Sequence, residues 1–498
     1  MHTGLIVEMA AEGLSDRVAI GAATDGVTYA DLLAQAQSAA TQIAGSGAQI
    51  VAFVGENGLS FPLALFASGL AGCPFAPLNY RLPDVDLRKL LARTAPSLAI
   101  VDEAMIPRVL GVEGVTIVSS KNFVAMATSA PEAFEAREPD IAVLLFTSGT
   151  TGEPKAAILR HRHLTSYVIS TVEFQGSGAE ECGIVTVPPY HIAAVSAVLT
   201  SVYSGRRIVQ LPAFSPEEWV RLVREEKVTH AMLVPTMLGR ILDVLENELA
   251  GLPSLRAISY GGGRMPAQLI ERALARLPHV DFVNAYGLTE TSSTISVLDA
   301  EDHRAAVASD NPSVRRRLAS VGRPIPGLEV SIRTPAQTEA EVGEPGEIWV
   351  RGEQVSGEYV GRIAIRSDGW FPTNDCGWMD EDGYLYVDGR LDDVIVRGGE
   401  NISPGEIEDV LRTHPDVVDV AVIGMPDNDW GERVAAVIVS AGSPDPDALR
   451  AWTRSRLRST KSPEDIYFRN ALPYTETGKL LRRTLKQEIA LSLEAAGS

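Results

Sequence analysis

Apolar positions along this chain recur at two spacings that take turns. Tyr29 to Ala44 (YADLLAQAQSAATQIA) carries them three and four apart, which predicts a helix with one buried stripe. Gln49 to Val54 (QIVAFV) is a short apolar run and reads as a strand. Phe61 to Gly72 predicts a helix, Pro74 to Leu78 a short strand, Asp84 to Thr94 an amphipathic helix and Leu98 to Val101 a strand. Ile141 to Phe146 is a further buried strand, and a helix begins near His163. Strands are expected at Gly183 to Val187, Thr229 to Val234, Leu255 to Tyr260 and Val280 to Asn284. Strands alternating with helices predict an α/β fold with a largely parallel sheet.

Beyond Arg317 the pattern changes to short strands and turns. Glu347 to Arg351, Gly369 to Pro372 and Gly383 to Val387 predict a small β subdomain, with Asp375 between two of these segments. After Leu391 come a helix at Pro404 to Thr413, strands at Val417 to Ile423 and Val434 to Val439, and a helix at Pro446 to Arg458. That order predicts a separate small α+β domain. The expected division is 1–391 for a large N-terminal domain and 392–498 for a small C-terminal one. No internal repeat or low-complexity linker interrupts the chain.

Composition narrows the function classes. Of 498 residues, 45% are hydrophobic and 22% charged, ordinary for a soluble globular protein. The formal net charge of −20 repels nucleic acid and anionic lipid, so a nucleotide site must bring its own cations. Cys73, Cys182 and Cys376 have no metal spacing and suggest no disulfide framework. They read as buried small hydrophobes of a reducing compartment. The N-terminus lacks a basic region followed by an apolar core, and the apolar stretches near 61–77 and 192–205 are broken by Gly, Pro, Ser or Thr. Neither a signal peptide nor a membrane span is expected, and the expected location is cytoplasmic.

The strongest chemical signal is Thr147-Ser148-Gly149-Thr150-Thr151-Gly152, directly after the strand at 141–146 and followed by Pro154-Lys155. Glycines let the backbone approach a ligand, hydroxyls add donors, and Lys155 adds a positive charge, a combination suited to a polyphosphate. It is not the ordinary P-loop, whose glycines and lysine are spaced differently. Other stretches end strands with polar or glycine-rich turns: PPYH at 188–191, Gly261-Gly262-Gly263 after Tyr260, and Asn284-Ala285-Tyr286-Gly287-Leu288-Thr289-Glu290. A Tyr face can stack on a purine and a carboxylate can hold Mg²⁺.

With TNDCGW (373–378), GRLDDVIVRGGENISPGEIE (389–408) and PYTETGKLLRR (473–483), these motifs make seven in order. Together they resemble the adenylate-forming superfamily of acyl-CoA synthetases, adenylation domains and luciferases. The resemblance spans about residues 25 to 487. It implies attack of a carboxylate on the α-phosphate of ATP, giving acyl-adenylate and pyrophosphate, then attack of a thiol with release of AMP. ATP, Mg²⁺ and CoA are the implied cofactors. It also implies roles. Thr147, Ser148, Gly149, Thr150, Thr151 and Lys155 form the phosphate loop. Gly261, Gly262, Gly263, Asn284, Ala285, Tyr286 and Gly287 frame the adenine. Thr289 reaches the α-phosphate and Glu290 the Mg²⁺, while Asp375 and Arg390 take the ribose. Lys479 bridges carboxylate and phosphate during adenylation. His191, Ala193, Ala194, Val195, Tyr260 and Gly261 border the acyl group. Asp392 is the hinge of a mobile small domain, and Gly398, Gly399 and Glu400 line the CoA channel.

Two departures stand out. The family usually has Thr-Gly-Asp where this chain has Thr373-Asn374-Asp375, and Gly357 to Gly369 is short for the family. The stretch Arg397 to Asn401 resembles the version in CoA ligases, so CoA is the expected acceptor. Transfer to a carrier protein is the alternative, with a luciferase-like oxygenase and a catalytically silent nucleotide or acyl sensor further behind. The acyl wall carries no evident cation or acid, which favours a fatty or aromatic carboxylic acid over an amino acid. The remaining partner expectations are a homodimer and the absence of nucleic acid.

Overall fold

In a computed structural model the chain builds four sheets among the described residues, which are 1–128, 140–147, 154–246, 251–427, 429–442, 444–474 and 480–497. The first large sheet has a parallel centre. Strands Val18–Ile20, Arg207–Gln210, Cys182–Val185, His230–Leu233, Ala257–Gly261 and Asp281–Tyr286 lie side by side in that order. Antiparallel strands close both of its edges. The second large sheet aligns Ile141–Thr147, Phe75–Pro77, Ile50–Val54, Ser97–Val101 and Val115–Ser119 in parallel. Strand Ile50–Val54 is apolar throughout because its two faces enter different core clusters, Val51 and Phe53 one and Ala52 and Val54 another. One core cluster joins the two sheets: Ile20, Val185 and Ile208 of the first share it with Val51, Phe53 and Phe75 of the second.

The predicted elements return with modest shifts of boundary. One assignment is corrected. Asp375 does not lie between strands: Phe371–Met379 is a single strand, and Asp375 sits within it opposite Arg390 of Leu385–Arg390. The alternation of apolar residues is broken there by Asn374 and Gly377, so the sequence hides half of the strand. These two strands with Glu329–Arg333 and Gly346–Arg351 form an antiparallel four-stranded sheet.

The segment that is short for the family folds into a small hairpin, Glu358–Tyr359 with Arg362–Ile363, turning at Gly361 with φ +79°. It adds to the second large sheet through Tyr359, which pairs with Ala157. A turn at Leu391–Asp393 leads into the last sheet. There the long hairpin Val417–Asp427 with Gly431–Ser440 is joined by three strands that the sequence pattern left out: the hairpin Ile395–Arg397 with Glu400–Ile402, and Asp465–Phe468. Helix Pro404–Arg412 packs on the long hairpin and also reaches the strand ending at Arg390.

Candidate active site

The glycine–threonine stretch connects two antiparallel strands, Ile141–Thr147 and Lys155–Arg160. Thr147 stands opposite Lys155, and its hydroxyl donates to the Lys155 carbonyl at 3.4 Å. Ser148, Gly149, Thr150 and Thr151 lie outside the described residues. The 3₁₀ turn Thr289–Thr291 packs against the Lys155–Arg160 strand, which brings Glu290 close to that strand. Residues 354–360 run between the two. Gln354 Nε2 donates to the carbonyls of Thr291 and Thr294 at 2.9 and 2.7 Å. The Ser356 amide donates to the Glu290 carbonyl at 2.8 Å, and the Tyr359 hydroxyl donates to Glu290 Oε1 at 2.5 Å. Burial and the neighbouring Glu290 charge push the Tyr359 phenol up, so it stays a donor. Glu358 takes a bidentate ion pair from Arg160, at 2.9 and 2.7 Å.

A cleft of about 520 Å³ lies between the first large sheet, the four-stranded sheet and the last sheet. One wall is Gly261, Gly262 and Gly263, with Asn284, Ala285, Tyr286 and Gly287 next to it. Gly261 is required here, because a Cβ would fall 2.2 Å from the Ala285 carbonyl oxygen. Asn284 Nδ2 donates to the Ser320 carbonyl at 3.1 Å, which fixes the amide at the cleft wall. At the cleft floor the buried Asp375 accepts from Arg390 Nη1 at 3.0 Å and from the Tyr286 hydroxyl at 2.6 Å. Burial and the Asp375 charge raise the Tyr286 phenol. The opposite wall includes Glu408, Arg412, Asp419, Tyr474, Leu480 and Arg482. Arg482 pairs with Glu408 at 2.6 Å, and the Tyr474 hydroxyl donates to Asp419 at 2.7 Å. Tyr474 and Leu480 form an antiparallel bridge. Lys479 falls outside the described residues, but it is bounded by these two cleft residues.

A family model described as "AMP-binding enzyme" matches residues 7–360, and one described as "AMP-binding enzyme C-terminal domain" matches 406–479. The chain belongs to the AMP-binding enzyme family. A feruloyl-CoA synthase from Amycolatopsis sp is 34% identical over 478 residues, covering 93% of this chain and 94% of that protein. An indoleacetate–CoA ligase from Aromatoleum aromaticum is 30% identical, with 93% of each chain covered. Among solved structures, the o-succinylbenzoate CoA synthetase of Bacillus subtilis bound to its acyl-adenylate intermediate superposes with a TM-score of 0.83 at 28% identity, covering 97% of both chains.

In this AMP-binding enzyme the expected acyl wall is only partly exposed to a ligand. His191 stands at the N-cap position of helix Ile192–Ser204 without a side-chain capping bond, and it and Ala193 are half-buried. Burial, with Arg81 nearby, lowers the His191 imidazole to about 4, so it is neutral near pH 7. Ala194 and Val195 point the other way, into the core shared by the two large sheets. Tyr260 is corrected in the same sense. It is fully buried in the core of the first sheet, and its hydroxyl meets His303 Nε2 at 2.7 Å. His303 Nδ1 lies 2.6 Å from the Asp299 carbonyl, so the proton sits on Nδ1 and Tyr260 is the donor to Nε2.

Gly398 and Gly399 form the turn of the hairpin 395–402, with φ +58° and +85°, and are exposed. They and Glu400 do not line the cleft. Asp392 is exposed and accepts from Asn374 Nδ2 at 3.3 Å. Two contributors carry no motif signal. Tyr359 lies in the stretch that departs from the family's length. Arg264 reaches across the cleft to Asp409 at 2.5 Å, over Gly405, where a Cβ would collide with it.

Proposed function

We propose that this chain activates an aromatic carboxylic acid as its acyl-adenylate and passes the acyl group to CoA. The enzyme is an AMP-forming acid–thiol ligase whose substrates are a small carboxylic acid, ATP and CoA. The observation that carries the reading is the cleft. A glycine wall suited to a flat base lines the same cleft as the Asp375–Arg390 pair, and Leu288, which also lines it, leads into the Thr289–Thr291 turn that packs on the strand beginning at Lys155. The aromatic class is supported by relatives named for feruloyl, indoleacetate and 2-succinylbenzoate acids, and by the apolar, uncharged start of helix Ile192–Ser204.

Adenylation brings two anions together, so it depends on cations and preorganised donors at the phosphates. Thr147 to Thr151 and Lys155 would hold the β- and γ-phosphates, and Thr289 the α-phosphate. Asp375 accepts the ribose hydroxyls, with Arg390 beside it. Lys479 pairs with both the attacking carboxylate oxygen and the α-phosphate. That oxygen forms a bond to the α-phosphorus as the bond to pyrophosphate breaks. In the second step the CoA thiol loses its proton, sulfur bonds to the acyl carbon, and AMP leaves. His191 and Ala193 border the acyl group.

Glu290 fits a Mg²⁺ held by one protein carboxylate and phosphate oxygens. Among the described residues no cluster of three His, Cys, Asp or Glu competes for a metal. Glu290 Oε1 is occupied by Tyr359, and its other oxygen has no hydrogen-bond partner among the described residues. When bound, Mg²⁺ would neutralise charge building on the leaving phosphates. We place the domain boundary between Leu391 and Asp392, at the turn before the last sheet. A reducing, cytoplasmic setting agrees with the three free, buried cysteines and with the substrates ATP and CoA. Among the described residues no helix is long and apolar enough to cross a membrane.

The test is a screen of hydroxycinnamic, arylacetic, benzoic, acetic and medium- and long-chain fatty acids, with pyrophosphate and thioester measured separately. Aromatic acids should give both products with CoA. Thioester formed only on a phosphopantetheinylated carrier protein would move the acceptor, and preference for fatty acids would move the substrate class.

A further inference from the structure

Glu290 is gripped twice by one short segment. Its main-chain carbonyl accepts from the Ser356 amide at 2.8 Å, and its carboxylate accepts from the Tyr359 hydroxyl at 2.5 Å. The segment is itself anchored on the phosphate-loop strand. Tyr359 pairs with Ala157, two residues beyond Lys155, and the Val360 amide donates to the Ala156 carbonyl at 2.9 Å. The Ser356 hydroxyl bonds the Ile158 carbonyl, and Glu358 holds Arg160 bidentately. On its other side Gln354 ties the segment to the Thr289–Thr291 turn and its neighbour Thr294. Residues 354–360 therefore couple the phosphate-loop strand to the turn that carries Glu290.

We propose that Tyr359 is a positioning residue for the metal carboxylate: it occupies Glu290 Oε1 and presents the second oxygen to the Mg²⁺ of MgATP. The inference rests on the assignment of Glu290 above. A free glutamate rotates about its terminal bond and offers either oxygen. With Oε1 fixed by a short, charge-assisted bond, one oxygen and one direction remain. Partners that orient a metal-binding carboxylate set the metal affinity of the site without touching the metal. Tyr359 lies in the strand of a hairpin, so the phenol's direction is set by strand register. The shortening of this segment does not loosen the site; it leaves a tight hairpin registered directly on Ala157.

The test measures Mn²⁺ binding to the enzyme with α,β-methylene-ATP by electron paramagnetic resonance, for wild type, Tyr359→Phe, Glu290→Gln and the double variant. Tyr359→Phe should weaken Mn²⁺ binding by about 10-fold or more. The Mg²⁺ concentration for half-maximal pyrophosphate release should rise in step, with saturating Mg²⁺ restoring most of kcat. Binding of AMP in EDTA and the melting temperature should stay at wild-type values. In the Glu290→Gln background, Tyr359→Phe should add nothing. Unchanged Mn²⁺ binding in Tyr359→Phe beside a damaged Glu290→Gln overturns the inference alone. So do additive losses in the double variant, or an equal loss of AMP and Mn²⁺ binding in Tyr359→Phe, which mark a merely structural tyrosine. Wild-type Mn²⁺ binding in Glu290→Gln overturns the metal assignment and the inference with it.

Discussion

Asn374 shows how a single residue absorbs a departure from a family pattern. Its φ is +61°, the left-handed region, where a glycine is the usual occupant and Asn is the most tolerant substitute. Its side chain also bonds Asp392, a link that glycine cannot make. Asn374→Gly should therefore keep the fold and ATP binding, whereas Asn374→Val should cost about 1–2 kcal/mol from backbone strain alone. Chemical denaturation of the two variants measures the difference, and equal stability would refute the strain argument. Tyr260 makes the opposite point: a residue that reads as a pocket wall is a core residue. Tyr260→Phe leaves His303 Nε2 buried without a donor and should cost about 1–3 kcal/mol. Its kcat/KM for the preferred acid should be unchanged at a temperature where the variant is folded. A changed acid preference would return Tyr260 to the pocket.

At the scale of elements, legibility followed how local each signal was. The strand at 141–147 was readable because both of its faces are buried and its residues are apolar in an unbroken run. The two ends of the phosphate loop were readable as chemistry, but the hairpin joining them was not, since antiparallel return depends on which neighbour Lys155–Arg160 finds. The half of Phe371–Met379 that carries Asp375 was hidden because polar residues serve the site there rather than the core. The hairpin 395–402 was hidden by its glycines, which on sequence alone suggested room for a ligand. Both have positive φ, so Gly399→Leu is strained by the backbone whatever it faces, and a loss of thioester output in that variant would not identify a channel. Tyr359 and Arg264 carried no signal, because each matters only through a partner distant in sequence: Glu290 for one, Asp409 for the other. Four buried or half-buried histidines give this level a pH signature. His161, His163, His191 and His230 are all lowered to about 4, chiefly by burial. The unfolded chain then takes up protons that the folded chain refuses. Stability should be full above about pH 6.5 and fall as pH drops toward 4. Thermal melts from pH 8 to 4.5 read this directly, and a melting temperature flat across that range would refute it.

For the whole molecule the question is which face of the last sheet looks into the cleft. Here Tyr474, Leu480 and Arg482 line it, while the Gly398–Gly399 turn is exposed elsewhere. We propose that this arrangement serves the first half-reaction. On that proposal the second half-reaction brings the other face in by rotation about the turn Leu391–Asp393. The Arg264–Asp409 pair adds little against it, being more than a third exposed on both sides and worth about 0–1 kcal/mol, whereas the Ser403 hydroxyl donates to the Asp388 carbonyl at 3.0 Å across the turn. Asp388, lining the cleft near Arg264, Glu406 and Lys461, is pushed up to about 6 by burial, so its charge further disfavours this arrangement above that pH if rotation exposes it. The turn is 3₁₀, a conformation whose usual φ of about −50 to −70° suits proline, and the first amide it needs is that of Val394. Asp392→Pro should therefore keep this arrangement and resist the rotated one. Pyrophosphate release with an aromatic acid should stay close to wild type. Thioester formation from preformed acyl-adenylate should fall on the order of 10²-fold, the cost of a reacting group held out of place. Acyl-adenylate should build up on the enzyme, and single-turnover time courses of the two half-reactions resolve the split. Equal losses in both steps, with a lowered melting temperature, would mean that the ring disrupts the turn rather than its rotation, and the hinge would have to be sought elsewhere.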